Sequence, residues 1–314
     1  MWGVPVTVAR PRRSLTGFPF MISTGRFGLY AGAFDDVNLC ESNLSKPRTC
    51  GRPKLLRMIW QGETTGIGSL PHQEIDAALD YAFAHSVPYL PQLTVGHPSE
   101  WMLALATSPA LEPQERAWAA FLERLRRRQP RVAKVQLAGP LTLARYVGHI
   151  GTTRLIEKAL YQVEAVKRLG VTPMFFVDEP GLPFAERFDA LADVLSAVSQ
   201  AGAITGVHCC GQAEWARVLA LPSLDVLSFD FALSGSSVLA HATQFIERGG
   251  TLAFGLDVMP EVAPLETRSW LLTTSCGLGR ATVAQADQRL ALLNTFRAKR
   301  TKAGATHAAW PREK

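Results

Sequence analysis

The chain has 314 residues, of which 47% are hydrophobic, and a formal net charge of +6. It is long enough for one large barrel or two ordinary domains, and we expect no membrane association because no run of about 18 uncharged apolar residues occurs. Its five cysteines, two of them adjacent, do not form the pattern of a disulfide framework, which favours a reducing, cytoplasmic setting.

The positive charge is concentrated in residues 1–57, which contain nine Lys and Arg but three Asp and Glu, so the remainder is neutral. A basic segment before a neutral body is not a nucleic-acid groove, and we expect no nucleic-acid partner. The segment has no sustained period. Its interpretation stays open between a disordered or non-native extension, a folded accessory segment, and a transit-like peptide, although Asp35, Asp36 and Glu41 interrupt the acid-poor pattern of the last.

From Met58 onward, apolar runs typical of buried strands alternate with helical patterns. The strand candidates are residues 65–69, 88–93, 133–137, 174–177, 204–208, 226–231, 251–256 and 271–275. Among the helical patterns are 113–128, 185–201 and 283–298.

This alternation predicts parallel strands joined by right-handed crossovers. Eight such units favour a single closed (β/α)8 TIM barrel over residues 58–300, followed by a polar tail at 301–314. An open doubly wound sheet is the alternative, but the segment that begins at Gly66 lacks the third glycine and the spacing of a phosphate-binding loop.

Three metal-capable side chains stand at or near the ends of predicted strands, where a barrel carries its active site. His208 and Cys210 are two residues apart in an extended segment and therefore share a face, whereas Cys209 points away. With Cys276 and one carboxylate they supply four candidate ligands. Thiolate and imidazole together select zinc. A cysteine such as Cys276 taken alone is more often a packing residue than a ligand, so the prediction depends on the co-occurrence of the three residues at strand ends.

A pair of adjacent carboxylates, Asp178 and Glu179, ends the strand predicted at 174–177 and precedes Pro180. One of them is expected either to cap the next helix or to face the barrel mouth as a substrate-binding group. If Asp178 faces the mouth, it suits a substrate ammonium group. Asp230 ends another strand. Its role has two interpretations, as a metal ligand or as a hydrogen-bond partner for the ring of His208.

Five segments appear in the order found in a known family. Together they resemble the catalytic domain of cobalamin-independent methionine synthase, in the uroporphyrinogen decarboxylase/methionine-synthase-like superfamily, over about residues 60–300. The segments are Ile67-Gly68-Ser69-Leu70-Pro71-His72, Gln136-Leu137-Ala138-Gly139-Pro140-Leu141-Thr142, Val177-Asp178-Glu179-Pro180, His208-x-Cys210-Gly211 and Cys276-Gly277-Leu278-Gly279.

The resemblance implies a zinc-dependent methyltransferase of methionine biosynthesis. By position, zinc would be bound by His208, Cys210 and Cys276, and its family carboxylate ligand, usually Glu, would be Asp230, which is one methylene shorter and displaced. The acceptor is a small thiol such as homocysteine, whose amino-acid part would be held by Ile67, Ser69 and Asp178, and Glu179 is a further substrate-binding candidate. Catalysis would fall to Asp178, His208 and Cys210.

One departure concerns the methyl donor. The full-length family enzyme has two barrels, the first of which helps to bind folate, and this chain has room for one. The donor is therefore open between a methylfolate and a corrinoid. A metal-free decarboxylase that acts on an acidic tetrapyrrole, and a non-catalytic barrel that binds zinc and a thiol, remain alternatives.

Overall fold

The computed structural model describes residues 58–93, 115–146, 148, 151–260 and 269–306. All of these lie within one unit, Lys54–Lys314. The predictions for residues 1–57 lie outside the described residues.

Nine strands lie in the described residues. They are β1 (Gln61–Thr64), β2 (Ser69–Leu70), β3 (Gln92–Leu93), β4 (Val132–Ala138), β5 (Thr172–Asp178), β6 (Ile204–Cys209), β7 (Val226–Asp230), β8 (Thr251–Gly255) and β9 (Trp270–Thr273). Seven of them form one sheet in the order β1-β9-β8-β7-β6-β5-β4, and every neighbouring pair is parallel. The short β2 and β3 pair with each other, also in parallel.

Helices connect the strands, as parallel pairing requires. In the described residues they are α1 (Ile75–Phe83), α2 (Glu115–Arg128), α3 (Pro140–Tyr146), α4 (Thr152–Lys167), α5 (Asp189–Gln200), α6 (Trp215–Leu219), α7 (Phe231–Leu239), α8 (Thr243–Glu247) and α9 (Val283–Thr306), with a 3-10 turn at Leu182–Phe184. None of these helices combines the length and the apolar character needed to cross a membrane.

The two outer strands of the seven-stranded sheet are hydrogen-bonded to one and the same segment. At one edge, the Val87 N–H donates to the carbonyl of Thr64, the last residue of β1, at 2.9 Å. At the other edge, the same segment is bonded to β4. The Leu90 N–H donates to the Lys134 carbonyl at 2.9 Å, and the Lys134 N–H donates to the Pro88 carbonyl at 2.8 Å. Because one short segment reaches both edges, the sheet is curled, with an inner and an outer face.

The alternation of side chains along β5 separates two apolar clusters. Phe175 and Val177 pack outward into the large core formed with the helices, whereas Met174 and Phe176 belong to a smaller cluster made by the inner face of the sheet. Asp178 continues the inner register at i+2 from Phe176. The inner face is therefore apolar toward the start of the strands and polar at their carboxyl ends.

Several predicted boundaries shift. The first strand was expected at 65–69, but β1 ends at Thr64 and only Ser69–Leu70 is extended again, because Gly68 takes a φ of +149° between them. The helix expected from 185 begins at Asp189, after the 3-10 turn. The last helix, expected to end near 298, continues to Thr306.

Candidate metal centre

His208, Cys210 and Cys276 come together at the carboxyl ends of β6 and β9. One ligand atom from each lies within 4.8 Å of the other two. The two sulfur atoms are 3.3 Å apart, although the cysteines are separated by 66 residues. Within the part of the chain that the structure describes, this is the group of three or more such side chains that meets the spacing of a metal site.

The ring of His208 is buried and oriented by a hydroxyl group. Its Nδ1 atom lies 3.0 Å from Ser228 Oγ, on the neighbouring strand in the same register. Ser228 Oγ lies in turn 3.2 Å from Thr273 Oγ1 of β9. The Nε2 atom is buried and has no hydrogen-bond partner. With Nδ1 carrying the proton toward Ser228, Nε2 presents a free lone pair, which is the form that binds a metal.

The two sulfur atoms share one hydrogen bond, from Cys276 Sγ to Cys210 Sγ. That bond lowers the pKa of Cys210, and it raises the pKa of Cys276, whose burial acts in the same direction. Cys209, next in sequence, lies in the core on the opposite face, donates to the Gly211 carbonyl at 3.7 Å, and has a pKa raised by burial to about 11. The adjacent cysteines therefore occupy different environments.

The loop that carries Cys276 is fixed at several points. Thr274 Oγ1 donates to the Cys276 carbonyl at 2.7 Å. The hydroxyl of Ser275 donates to Asp257, which follows β8 and also lies 3.5 Å from Arg289. On the other side of Cys276, the Leu278 N–H donates to the Ser69 carbonyl at 2.8 Å. These contacts hold the sulfur in place from both sides.

The donor set fits zinc. Tetrahedral zinc binds thiolate at about 2.3 Å and imidazole at about 2.0–2.1 Å, which places two sulfur ligands roughly 3.8 Å apart. The present separation of 3.3 Å requires a displacement of a few tenths of an ångström. The unpartnered Nε2 of His208 is the third donor, and three protein ligands leave a fourth position for a substrate.

Asp178 lies beside this group. It is paired in register with His208 across β5 and β6, and its Oδ1 atom is buried without a hydrogen-bond partner. Burial raises the pKa of Asp178, while Lys134 and His208 act against the rise. A carboxylate oxygen without a partner is costly to bury, so this atom is suited to meet a donor supplied by a ligand.

Glu179 is placed differently from its neighbour. Its side chain is fully buried and accepts hydrogen bonds from the Leu141 N–H at 3.0 Å, the Thr142 N–H at 2.7 Å and the Thr142 hydroxyl at 2.6 Å. Burial raises the pKa of Glu179 to about 7, although these hydrogen bonds oppose the shift. Both carboxylate oxygens are therefore occupied by the first turn of α3.

Asp230 is the expected fourth ligand that the structure does not place with the others. Its carboxylate accepts from the Leu233 N–H at 3.1 Å and caps the start of α7. It is outside the group of converging ligand atoms. The reason is local, because α7 begins at the residue after Asp230 and its free backbone N–H groups take the carboxylate as a cap.

The segment Ile67-Gly68-Ser69 borders the same site. A Cβ atom on Gly277 would lie 2.1 Å from Ser69 Oγ, and the Gly279 N–H donates to that oxygen at 3.4 Å. Ile67 is buried and Ser69 is half-buried. The structure thus brings Ser69 next to the Cys276 loop, and Asp178 next to His208.

Sequence reasoning missed two residues around this site. Ser228, which contacts His208, stands two positions before Asp230 and so shares its side of β7, which is the signal that alternation offers. Lys134 is a fully buried lysine in β4, a strand whose other residues are apolar apart from Gln136. A charged residue inside a buried strand is rare enough to have been singled out from the sequence.

Comparisons with known proteins do not assign the chain to a family. No protein-family model matches the chain. No curated protein matches it at a significant level. Among solved structures, an amidohydrolase of Burkholderia ambifaria with bound zinc is 14% identical over 82% of this chain and 87% of that one, with a TM-score of 0.38. A hydroxymethylglutaryl-CoA lyase of Pseudomonas aeruginosa is 14% identical over 69% and 77%, with a TM-score of 0.32. Likenesses this low carry no argument.

Proposed function

We propose that this protein is a zinc-dependent methyltransferase that methylates a small thiol such as homocysteine, in the manner of cobalamin-independent methionine synthase. The observation that carries the proposal is the convergence of His208, Cys210 and Cys276 within 4.8 Å at the carboxyl ends of the strands. The neighbouring Asp178 and Ser69 match the positions at which the resembled family holds the amino-acid part of its acceptor.

The proposal includes a closed eight-stranded barrel. Residues 87–93 would be the eighth strand between β1 and β4, which is supported by their backbone hydrogen bonds to both and by the parallel bridge between Tyr89 and Lys134. In such a barrel, the polar residues at the ends of β5, β6 and β9 would all face one mouth. A reducing, cytoplasmic setting suits the site because both cysteines must remain thiolates to bind metal.

The protein groups have separate tasks in this proposal. His208, Cys210 and Cys276 would hold zinc, which when bound lowers the pKa of a coordinated thiol and supplies a thiolate at neutral pH. Asp178 would accept the ammonium group of the acceptor with its unpartnered Oδ1 atom. Ser69 would orient the acceptor carboxylate. In the reaction the acceptor sulfur gains the methyl group, the donor leaves with the bonding electron pair, and the thiol proton passes to solvent.

Metal analysis tests the site before any substrate is chosen. Protein purified with a reductant and loaded with zinc should contain about one zinc per chain, and Cys210→Ser and Cys276→Ser should each lose most of it, since removal of one thiolate leaves two ligands. Cys209→Ala is the matched control, because that cysteine lies on the other face, and it should keep the metal. A zinc-free wild type would overturn the proposal.

Turnover tests the chemistry. Zinc-loaded protein supplied with L-homocysteine and either methylcobalamin or a methyltetrahydrofolate should form methionine, and Asp178→Asn should raise KM for homocysteine because the ammonium group loses its counter-charge. Thiol binding with no methyl transfer from either donor would favour a non-catalytic zinc and thiol-binding barrel instead.

A further inference from the structure

Lys134 lies beneath the site, in the middle of β4. Its side chain is fully buried, and alternation along the strand places it on the same face as Gln136. Its Nζ atom donates to the Ile67 carbonyl at 2.8 Å and to Gln136 Oε1 at 3.0 Å, and lies 4.8 Å from the centre of the Phe176 ring. A buried ammonium group is costly unless its hydrogen bonds are made, so this one serves the groups that it contacts.

The carbonyl that Lys134 holds opens the turn Ile67-Gly68-Ser69. Gly68 has a φ of +149°, and a Cβ atom there would lie 2.6 Å from Gln92 Oε1 and 2.7 Å from Gln136 Nε2. The turn therefore rests directly on buried amide groups, with no space for a side chain between them. Gln136 is itself fixed, because its Nε2 atom donates to the Leu90 carbonyl at 2.7 Å.

The far end of the same turn reaches the metal centre. Ser69 receives the Leu278 N–H on its carbonyl at 2.8 Å and the Gly279 N–H on its hydroxyl at 3.4 Å. Lys134 thus fixes one end of a three-residue turn whose other end touches the Cys276 loop. An apolar residue of similar volume would fill the space under the turn but would leave the Ile67 carbonyl without its donor.

We infer that Lys134 is a positioning residue for the acceptor: its buried ammonium group fixes the turn that presents Ser69 to the amino-acid end of the thiol. This inference rests on the proposed function and deepens it. Because the side chain of Lys134 is fully buried and its ammonium group donates to the Ile67 carbonyl, we place it behind the turn, where it acts through Ile67 and Ser69. Its charge also lies close enough to Asp178 to oppose the burial shift in the pKa of that carboxyl. Removing Lys134 should therefore impair recognition of the amino-acid group and leave the metal untouched.

The test compares two thiols on the zinc-loaded full chain. Lys134→Met should retain the zinc content of the wild type and, after cobalt substitution, its sulfur-to-metal absorption. The Kd for L-homocysteine should rise at least about 10-fold, the size expected for loss of a hydrogen bond from a charged group, while the Kd for 2-mercaptoethanol, which has no amino-acid group, should stay the same. Equal changes for the two thiols, or no change, would overturn the inference.

Lys158→Met is the matched control, because Lys158 is also a buried lysine but lies on α4, away from the sheet interior. It should alter neither Kd. If Lys134→Met does not fold, Lys134→Gln is used for the same comparison, and failure of both variants to fold would assign Lys134 to stability and reject the inference. If the wild type binds neither thiol, the proposed function is rejected as well. If the wild type binds L-homocysteine but Lys134→Met changes the Kd values of both thiols equally, or changes neither, only the inference is rejected.

Discussion

Ser228 orients the ring of His208 through its contact with Nδ1. The hydroxyl of Ser228 lies between the ring Nδ1 at 3.0 Å and the hydroxyl of Thr273 at 3.2 Å, so β6, β7 and β9 are linked through three buried polar side chains. With Nδ1 engaged, the ring cannot turn without losing this contact. A proton on Nδ1 would leave the lone pair on Nε2, which is buried and has no hydrogen-bond partner.

Removal of this hydroxyl should weaken metal binding without removing a ligand. We expect Ser228→Ala to raise the Kd for zinc about 10- to 100-fold, which is the usual effect of losing a group that orients a metal-binding histidine. Competition against a zinc-binding dye measures the change. Thr251→Val is the control, because Thr251 belongs to a similar hydroxyl pair with Ser269 at the opposite end of the sheet, 2.9 Å apart. Equal zinc affinities for Ser228→Ala and wild type would contradict this role.

At the scale of elements, Glu179 joins the end of β5 to the start of α3. It accepts hydrogen bonds from two N–H groups and the Thr142 hydroxyl in the first turn of α3, and the Gly181 N–H donates to Thr142 Oγ1 at 2.9 Å. A Cβ atom on Gly139 would lie 2.1 Å from Glu179 Oε1, so the carboxylate fills the space beside that glycine. This arrangement fixes the two loops that flank Asp178.

Glu179→Gln should therefore destabilise the protein. At pH 8, above the raised pKa of about 7, the carboxylate accepts all three bonds, whereas an amide would turn its NH2 group toward an N–H donor. We expect a loss of about 1–3 kcal/mol in the free energy of unfolding, measured from the urea midpoint at constant slope. Glu186→Gln, at an exposed position nearby, should change it little. A midpoint unchanged by Glu179→Gln would show that the contacts add no stability.

At the scale of the whole molecule, one buried histidine outside the site links stability to pH. His85 lies between Tyr81 and Tyr89, with ring centres 5.4 and 5.3 Å away, and neither of its nitrogens has a hydrogen-bond partner. Burial lowers the pKa of His85 to about 3. Below about pH 6.5 the imidazole of His85 is protonated in the unfolded chain but stays neutral in the folded protein. The stability contributed by His85 is therefore complete above that pH and is lost as the pH falls toward 3.

We expect His85→Phe to flatten this dependence. Between pH 7.5 and pH 5, the wild type should lose about 2 kcal/mol more free energy of unfolding than the variant, because each pH unit below 6.5 costs up to about 1.4 kcal/mol. Urea unfolding of both proteins, metal-free and with reductant, provides the measurement. Parallel pH profiles would mean that the pKa of His85 is the same in the folded and unfolded states.

The apolar periods of the sequence predicted the parallel α/β arrangement, because buried parallel strands are continuous apolar runs that need no distant information to be recognised. Apolar periods do not reveal a break made by a single backbone angle, as at Gly68. They also do not reveal which group a strand-end side chain contacts, as at Asp230, whose carboxylate caps α7. Both depend on the three-dimensional surroundings of one residue.

The sequence by itself determined that the chain forms alternating strands and helices, and that His208 and Cys209 take opposite faces at the end of one strand, with Cys210 directly after it. Only the tertiary structure decided that Cys276 meets them, that Ser228 orients the ring, and that Lys134 supports the turn at Ile67. Strand periodicity fixes which face a side chain takes, whereas the curvature and register of the sheet fix which distant side chains share that face.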